Sequence, residues 1–515
     1  MFRFFVPNTQ TEVDIDAPKD RSLPLLRIFF ILYMVSFVFD YKAVDLEFGA
    51  TSTGGSPFQY AYLGIAMLAG MVGTLLGFKY LLTRPGVFIA GLWWGLTLFA
   101  IVVSFTSGNE LGRILRLLIP SLLVGFAINL TLIVASAGMR PKEAMRIFFV
   151  VAVTNVIWRF VFGAFLSGLS INEARMGILS PGMRFLFAWS ACALLLRKKF
   201  TPWVLVGFGV PLAVAALSIT RSLVLPIGAS FGTAFCVMGL GIFLKVYDIK
   251  HAIRKVGALF GFGIACLFII VIAAIAVPSM AQRWEQRLFD NRGSGDNVRG
   301  ETTEDLSTLM RKAEAKSMWD ILAKDPHTFI YGKGLGASYY WDETFYPELF
   351  LVYPEDRHQF PLDIYSAGHS IWTYTLFSRG FVGVFLLLLS FFVCMGMSLH
   401  TFYLNSRTVA GKRSPDIFLV AFPFVAMWAV LSESITLNPF DERYTGVLYG
   451  FILAFPQFFY NRICYLRFRE ERTFSAPQMI IDQDLIDSDE ELVNDYGLNA
   501  GASFPQKQGH GKAFT

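Results

Sequence analysis

Apolar runs of about 17 to 25 residues recur along most of the chain, and that is the length needed to cross the hydrocarbon core of a bilayer. Backbone polar groups in lipid must be satisfied within the segment, so each run is read as a helix. Composition agrees. Of 515 residues, 54% are hydrophobic, only 16% are charged and 52 are phenylalanine, and the mean hydropathy is +0.51. An ordinary globular protein carries roughly 25% charged residues, so this chain lacks the polar surface to coat several soluble cores. Disordered, collagen-like and disulfide-scaffold classes are excluded. Cys192, Cys236, Cys266, Cys394 and Cys464 are scattered without CxxC spacing and read as small buried hydrophobes.

The hydropathy predicts an all-α polytopic membrane protein of about twelve spans, near 25–40, 58–78, 86–105, 114–136, 145–167, 183–196, 203–219, 222–244, 256–277, 371–399, 416–436 and 444–460. No early stretch joins a short apolar core to a small-residue cleavage site, so no removable signal peptide is expected. The net charge of +5 is distributed as a topology signal and not as a nucleic-acid surface. With residues 1–24 cytoplasmic, every inner loop is basic: Lys79 and Arg84; Arg140, Lys142 and Arg146; Arg197, Lys198 and Lys199; Lys245, Lys250, Arg254 and Lys255; Arg407, Lys412 and Arg413. The positive-inside rule therefore predicts both termini in the cytoplasm. The tail, 461–515, holds seven acids between Asp482 and Asp495 and reads as a disordered extension.

Between spans nine and ten lies a soluble loop domain, 278–370, which this topology places outside. Its part from Pro278 to Gly368 holds ten Lys/Arg against fifteen Asp/Glu. Apolar residues at Leu306, Leu309, Ala313, Met318, Ile321 and Leu322 predict a surface helix over 303–323, capped by Thr302 or Thr303. Eleven of the thirty-seven residues from Phe329 to Tyr365 are aromatic, Tyr340 and Trp341 among them. With Asp342, Glu343 and Glu348 nearby, they suit either a sugar-stacking surface or an interfacial aromatic belt. The glycines of Gly332-Lys333-Gly334-Leu335-Gly336 permit tight turns or close approach by a ligand, but they match neither a phosphate loop nor a dinucleotide fold. His369, at the boundary of span ten, is either a base toward a hydroxyl or an interfacial hydrogen-bonding residue. Asp356, His358, Asp363 and His369 match no metal-ligand spacing, so no metal is expected.

Arginine at bilayer depth costs roughly 2.5–3.5 kcal/mol on insertion scales and persists mainly for function. Arg113 and Arg116, Arg159, Arg175 and Arg184, Arg221 and Arg379 all fall on the outer side. Guanidinium forks match phosphate oxygens bidentately, so the group suits a lipid-linked diphosphate. Snorkelling, or pairing with Glu173 or Glu433, is the other reading for any one of them.

Taken in order, the Ser218-Ile219-Thr220-Arg221-Ser222 turn, the long outer loop, R-x-x-E, G-x-G-x-G and Gly368-His369-Ser370-Ile371-Trp372 followed by Ser378-Arg379-Gly380-Phe381-Val382-Gly383 resemble the O-antigen ligase and polymerase family. The resemblance covers about Arg184 to Leu389. The chain departs from the family pattern at Ser370, where asparagine is commoner, at Trp372-Thr373, and in a longer Trp341–Phe360 segment. The resemblance implies a glycosyltransferase of the bacterial inner membrane that polymerises or ligates a surface polysaccharide, O-antigen or exopolysaccharide, at the periplasmic face. Its donor is a glycan on undecaprenyl diphosphate, its acceptor a glycan or lipid A core, and its surroundings membrane lipid. A chain-length regulator is a further partner that the resemblance admits. It implies catalytic roles for His369, Arg221 and Arg311 and no cofactor. Arg184, Arg379, Gly334, Gly336, Tyr340 and Trp341 are the candidate substrate-binding residues. The competing class is a flippase-like or other secondary transporter. Against it stand the lack of matching Gly/Pro-broken segments in two halves and the restriction of the aromatic segment to one face.

Overall fold

The computed structural model describes residues 21–41, 57–82, 84–167, 177–198, 200–218, 223–276, 306–345, 368–407, 417–434, 438 and 443–460. Arg221, Asp356, His358, Asp363 and the acidic tail lie outside them. The described residues form helices and no strand. In order these are α1 (Leu23–Val35), α2 (Pro57–Leu76), α3 (Phe78–Leu81), α4 (Arg84–Thr106), α5 (Leu111–Ser136), α6 (Pro141–Val161), α7 (Gly182–Leu195), α8 (Trp203–Ser218), α9 (Val224–Phe243), α10 (Ile249–Ala276), α11 (Leu306–Ala323), α12 (Pro326–Tyr331), α13 (Ile371–Arg407), α14 (Ile417–Ser434) and α15 (Arg443–Ala454).

A helix lies over each of the twelve apolar stretches. Seven of the helices are long and apolar enough to cross a membrane: Phe58–Leu76, Val87–Thr106, Leu111–Ser136, Pro141–Leu166, Val224–Phe243, Ile371–Arg407 and Ile417–Ser434. The chain is a multi-pass helical membrane protein. Phe381, Phe385 and Phe392 of α13 are exposed at helical spacing, as are Leu68 and Leu75 of α2. In water such stripes would be a liability; against lipid they are the solvent-facing side. Cys236 is likewise exposed, unlike Cys192 and Cys394, because it faces outward from α9.

Every residue of α7 is buried, so this helix forms the centre of the bundle. The α5–α15 pair packs tightly because Gly446 and Gly450 lack side chains. A Cβ at Gly450 would stand 2.5 Å from the Val124 carbonyl oxygen and 2.6 Å from the Ala127 Cβ, the close approach that small residues four apart allow in membranes.

The loop domain contributes a second core of Leu309, Ala313, Met318, Leu322, Ala337, Tyr339, Trp341, Tyr374 and Phe377. Tyr374 and Phe377 belong to α13, so the first turns of that helix serve the cap. The helix breaks at Gly380 (φ 61°, ψ −168°), inside the long apolar stretch Ile371–Arg407. Directly after Asp325 the chain forms the short helix α12. The Asp325 side chain accepts from the N–H groups of His327 (3.0 Å) and Thr328 (3.1 Å), and Pro326 follows at the first helical position.

Candidate functional site

Glu314 occupies a position where α11 should be apolar, four residues from both Met310 and Met318. Its side chain is 2% exposed. One carboxylate oxygen accepts from the backbone N–H of His369 at 2.7 Å, and the other lies 2.6 Å from the imidazole Nδ1. A carboxylate that accepts from both groups places the ring proton on Nδ1 and leaves Nε2 as the basic nitrogen. The His369 side chain is 50% exposed, so the dyad has a buried acid and an outward-facing imidazole. The turn before it is held from the other side, where Asn438 Nδ2 donates to the Gly368 carbonyl at 3.2 Å. Trp372 Nε1 donates to Ser434 Oγ at 2.9 Å, which ties the start of α13 to the end of α14. This is the acid–imidazole pairing that orients a general base in hydrolases and transferases.

Arg311 lies three residues before Glu314, hence on the same face of α11, and is partly exposed. Arg184, buried at the start of α7, has Nη1 2.7 Å from Glu433 Oε2 of α14. Arg159, fully buried, donates to the Asp40 carbonyl (3.2 Å), to Asp40 Oδ2 (3.2 Å) and to the Leu179 carbonyl (2.7 Å). These two arginines have protein partners that account for their burial. Removing one member of a buried pair typically costs about 3–5 kcal/mol, whereas replacing both by apolar residues can be neutral. Arg184→Met is therefore expected to lower thermal stability sharply, and Arg184→Met with Glu433→Leu to recover most of it. Recovery of folding without transfer activity would assign Arg184 to substrate as well.

Arg379 sits one residue before the kink, buried, with Nη2 donating to Ser121 Oγ of α5 at 3.0 Å. The three glycines of the G-x-G-x-G motif all have φ of +82° and press against protein. A Cβ on Gly332 would stand 2.5 Å from the Arg379 nitrogen, one on Gly334 2.4 Å from Ser104 Cα, and one on Gly336 3.0 Å from Arg113 Cβ. Lys333 and Gly334 donate backbone N–H groups to the Phe377 (2.8 Å) and Ser378 (2.9 Å) carbonyls. Those are carbonyls that the break at Gly380 deprives of helical donors. The loop thus repairs the kink. Asn109 closes its other side by donating to the Lys333 (2.7 Å) and Leu335 (3.0 Å) carbonyls.

Of the two adjacent aromatics, Tyr340 is exposed and Trp341 is buried in the cap core. Trp341 therefore supports the surface, and Tyr340 alone of the two presents a ring outward. At the rim, Lys316 Nζ lies 2.6 Å from Asp342 Oδ2. Burial raises the Asp342 carboxyl, but Lys316 and the Thr344 hydroxyl and N–H override it and hold it at about 2. This clasp is complete above the ordinary carboxylate value of 3.8 and is lost only as pH falls through about 2. Among the described residues no three His, Cys, Asp or Glu side chains group around a point where a metal could sit.

The dyad is the site's central feature. No protein-family model matches the chain, and no curated protein matches it. The sequence singled out His369, and the family resemblance Arg311, but neither gave the glutamate of R-x-x-E a role. The signal was there: an ionisable residue flanked by Ala313 and Ala315 on the stripe that the helix buries.

Proposed function

We propose that the chain is a membrane glycosyltransferase that moves a glycan from a polyprenyl diphosphate, undecaprenyl diphosphate in bacteria, to a hydroxyl of a glycan or lipid A core. The observation that carries this reading is the Glu314–His369 dyad, a buried carboxylate on an extramembrane helix orienting an exposed imidazole where that cap meets the bundle. The acceptor O–H gives its proton to Nε2 as its oxygen bonds to the anomeric carbon. The anomeric C–O bond breaks with its electron pair going to the diphosphate, and the anomeric centre inverts. Glu314 stabilises the imidazolium that results. Arg311, with Arg221, meets the charge developing on the diphosphate, so the step calls for neither metal nor nucleotide. Tyr340 offers a ring face to the sugar. The family that the sequence resembles, O-antigen ligases and polymerases, uses this chemistry, and the resemblance lends its weight to the assignment.

In this reading the bundle crosses the bacterial inner membrane about twelve times, both termini are cytoplasmic and the cap is periplasmic. Ser338 is exposed on the cap. Ser338→Cys is expected to react with an impermeant thiol reagent in intact cells whose outer membrane has been permeabilised. Reaction only after lysis would reverse the topology.

The purified protein, given a polyprenyl-diphosphate glycan and an acceptor, is expected to release polyprenyl diphosphate in step with glycan transfer. Deletion separates the two forms of the activity. Lipid-linked polymer that accumulates without capped lipopolysaccharide marks a ligase, and a single repeat left on the core marks a polymerase. Substrate movement across vesicles without transfer would instead support a transporter.

A further inference from the structure

The end of α7 remote from Arg184 carries a second cationic cluster that the proposed chemistry does not use. Arg197 and Lys198 follow α7, and His251, Arg254 and Lys255 occupy the first turns of α10. The two segments meet where His251 Nε2 lies 3.4 Å from the Leu195 carbonyl. The His251 ring stacks on Tyr247 at 5.0 Å and 11°, and the Arg197 guanidinium lies 5.6 Å from the Phe418 ring. From Arg184 to Arg197 the chain advances thirteen residues, about 20 Å along a helix, so this cluster and the dyad sit at opposite ends of the bundle.

The positive-inside tendency accounts for basic residues in such loops, but it asks only that they be in water. Lys250 obeys it and is exposed. Lys255 does not, since it keeps 7% of its exposure. Among the described residues no carboxylate pairs with Arg197, Arg254 or Lys255. Arg197 Nε is buried without a hydrogen-bond partner. Asp248, the single acid between Leu244 and Lys255, uses its backbone carbonyl to cap α10, accepting from His251 (2.9 Å) and Ala252 (3.2 Å). Burial, then Arg197 and Arg254, push the Lys255 ammonium down from its ordinary value. Burial also pushes His251 down, against the support of the Leu195 carbonyl and with the help of Lys255, Lys198 and Arg254. The positive end of α10 adds to the same repulsion. A buried ammonium among like charges is expensive unless an anion meets it.

We propose that Arg197, Lys198, Arg254 and Lys255 form a phosphate-binding site, on the opposite end of the bundle from the Glu314–His369 dyad. The Arg197 fork takes two phosphate oxygens, Lys255 supplies a point charge from below, and the exposed Lys198 and Arg254 close the rim. The phosphate is either the headgroup of an anionic phospholipid or a free phosphate from the aqueous phase.

The test uses the full chain in two arms. In the first, the protein in detergent is offered equal phosphatidylglycerol and phosphatidylcholine, and native mass spectrometry reads the bound lipid. In the second, thermal stability is followed with inorganic phosphate and with pyrophosphate, against chloride at matched ionic strength. The variants are Lys255→Met, which keeps length without charge, and Arg197→Gln, with Lys250→Gln as the exposed control. The parent and Lys250→Gln are expected to prefer phosphatidylglycerol, or to be stabilised by the soluble anions, and whichever arm responds identifies the source. Lys255→Met and Arg197→Gln are expected to weaken that response about tenfold, the size of one charge-assisted hydrogen bond. Without added anion, Lys255→Met should be at least as stable as the parent, because an unpaired buried charge has gone. Equal responses from the parent and both variants, or no response from the parent in either arm, would overturn the proposal.

Discussion

His369→Gln is expected to fold and insert like the parent and to transfer glycan about 100- to 10,000-fold more slowly, the contribution of a well-placed general base. The substitution preserves the backbone N–H that Glu314 Oε1 holds at 2.7 Å, so the turn at Gly368–His369 should survive. Glu314→Gln tests the other half of the dyad. Its amide N–H can donate to Nδ1, which moves the ring proton to Nε2 and removes the base in the wrong tautomer. A loss on the order of 100-fold or more is expected, with substrate binding little changed. Rates are to be measured on purified protein with a lipid-diphosphate donor. His358→Gln is the companion control and should retain activity, because His358 stands outside the H-S motif. A near-parental rate for His369→Gln would remove the residue from the chemistry.

Gly380→Ala is expected to produce a large loss of stability. Its φ and ψ, 61° and −168°, belong to a region that side chains other than glycine's scarcely visit, at about 1–3 kcal/mol. A Cβ there would also stand 2.2 Å from the Ile330 carbonyl oxygen and 2.5 Å from the Tyr331 nitrogen, both backbone atoms that cannot turn aside. Overpacking of this kind adds about 1–3 kcal/mol, so roughly 2–6 kcal/mol is expected in total. The G-x-G-x-G loop would be pushed off the kink, and with it the cap that holds Glu314 over His369. Thermal unfolding and proteolysis of the cap should both report the change. Gly396→Ala, on the same helix with nothing within 4 Å of an added Cβ, is the control. There alanine should be neutral or stabilising by up to about 1 kcal/mol through helix propensity.

A helix lies over each apolar stretch that hydropathy picked out, and seven of the helices are long and apolar enough to cross a membrane, because in lipid apolar length decides the secondary structure. Apolar length alone did not show that the start of α13 also packs against the loop domain. Ile371, Trp372, Leu376 and Phe377 are as apolar as membrane residues, yet this stretch of helix serves the cap, with Tyr374 and Phe377 in the cap core and Ile371 in that of the bundle. A run of apolar side chains does not say whether lipid or protein will cover it. His369 stood out in the sequence by its residue type at a span boundary, and Arg311 only through the family resemblance.

What the sequence could not decide was partnership. Arg184 and Glu433 are 249 positions apart, and only the packing of α7 against α14 brings them to 2.7 Å. Arg159 and Asp40, and Arg379 and Ser121, meet in the same way. An arginine in an apolar segment carries one signal whether it awaits a diphosphate or neutralises a neighbour, since burial and charge are the same in both. Glu314 is the converse case: a lone acid on a helix that gains an imidazole partner at 2.6 Å only once the tertiary structure buries it. The sequence by itself determined which segments are helices and which residue types are chemically able. Tertiary packing alone decided which charges are already paired and which face outward, because that depends on contacts between residues far apart in the chain, from 55 positions for Glu314 and His369 to 258 for Ser121 and Arg379.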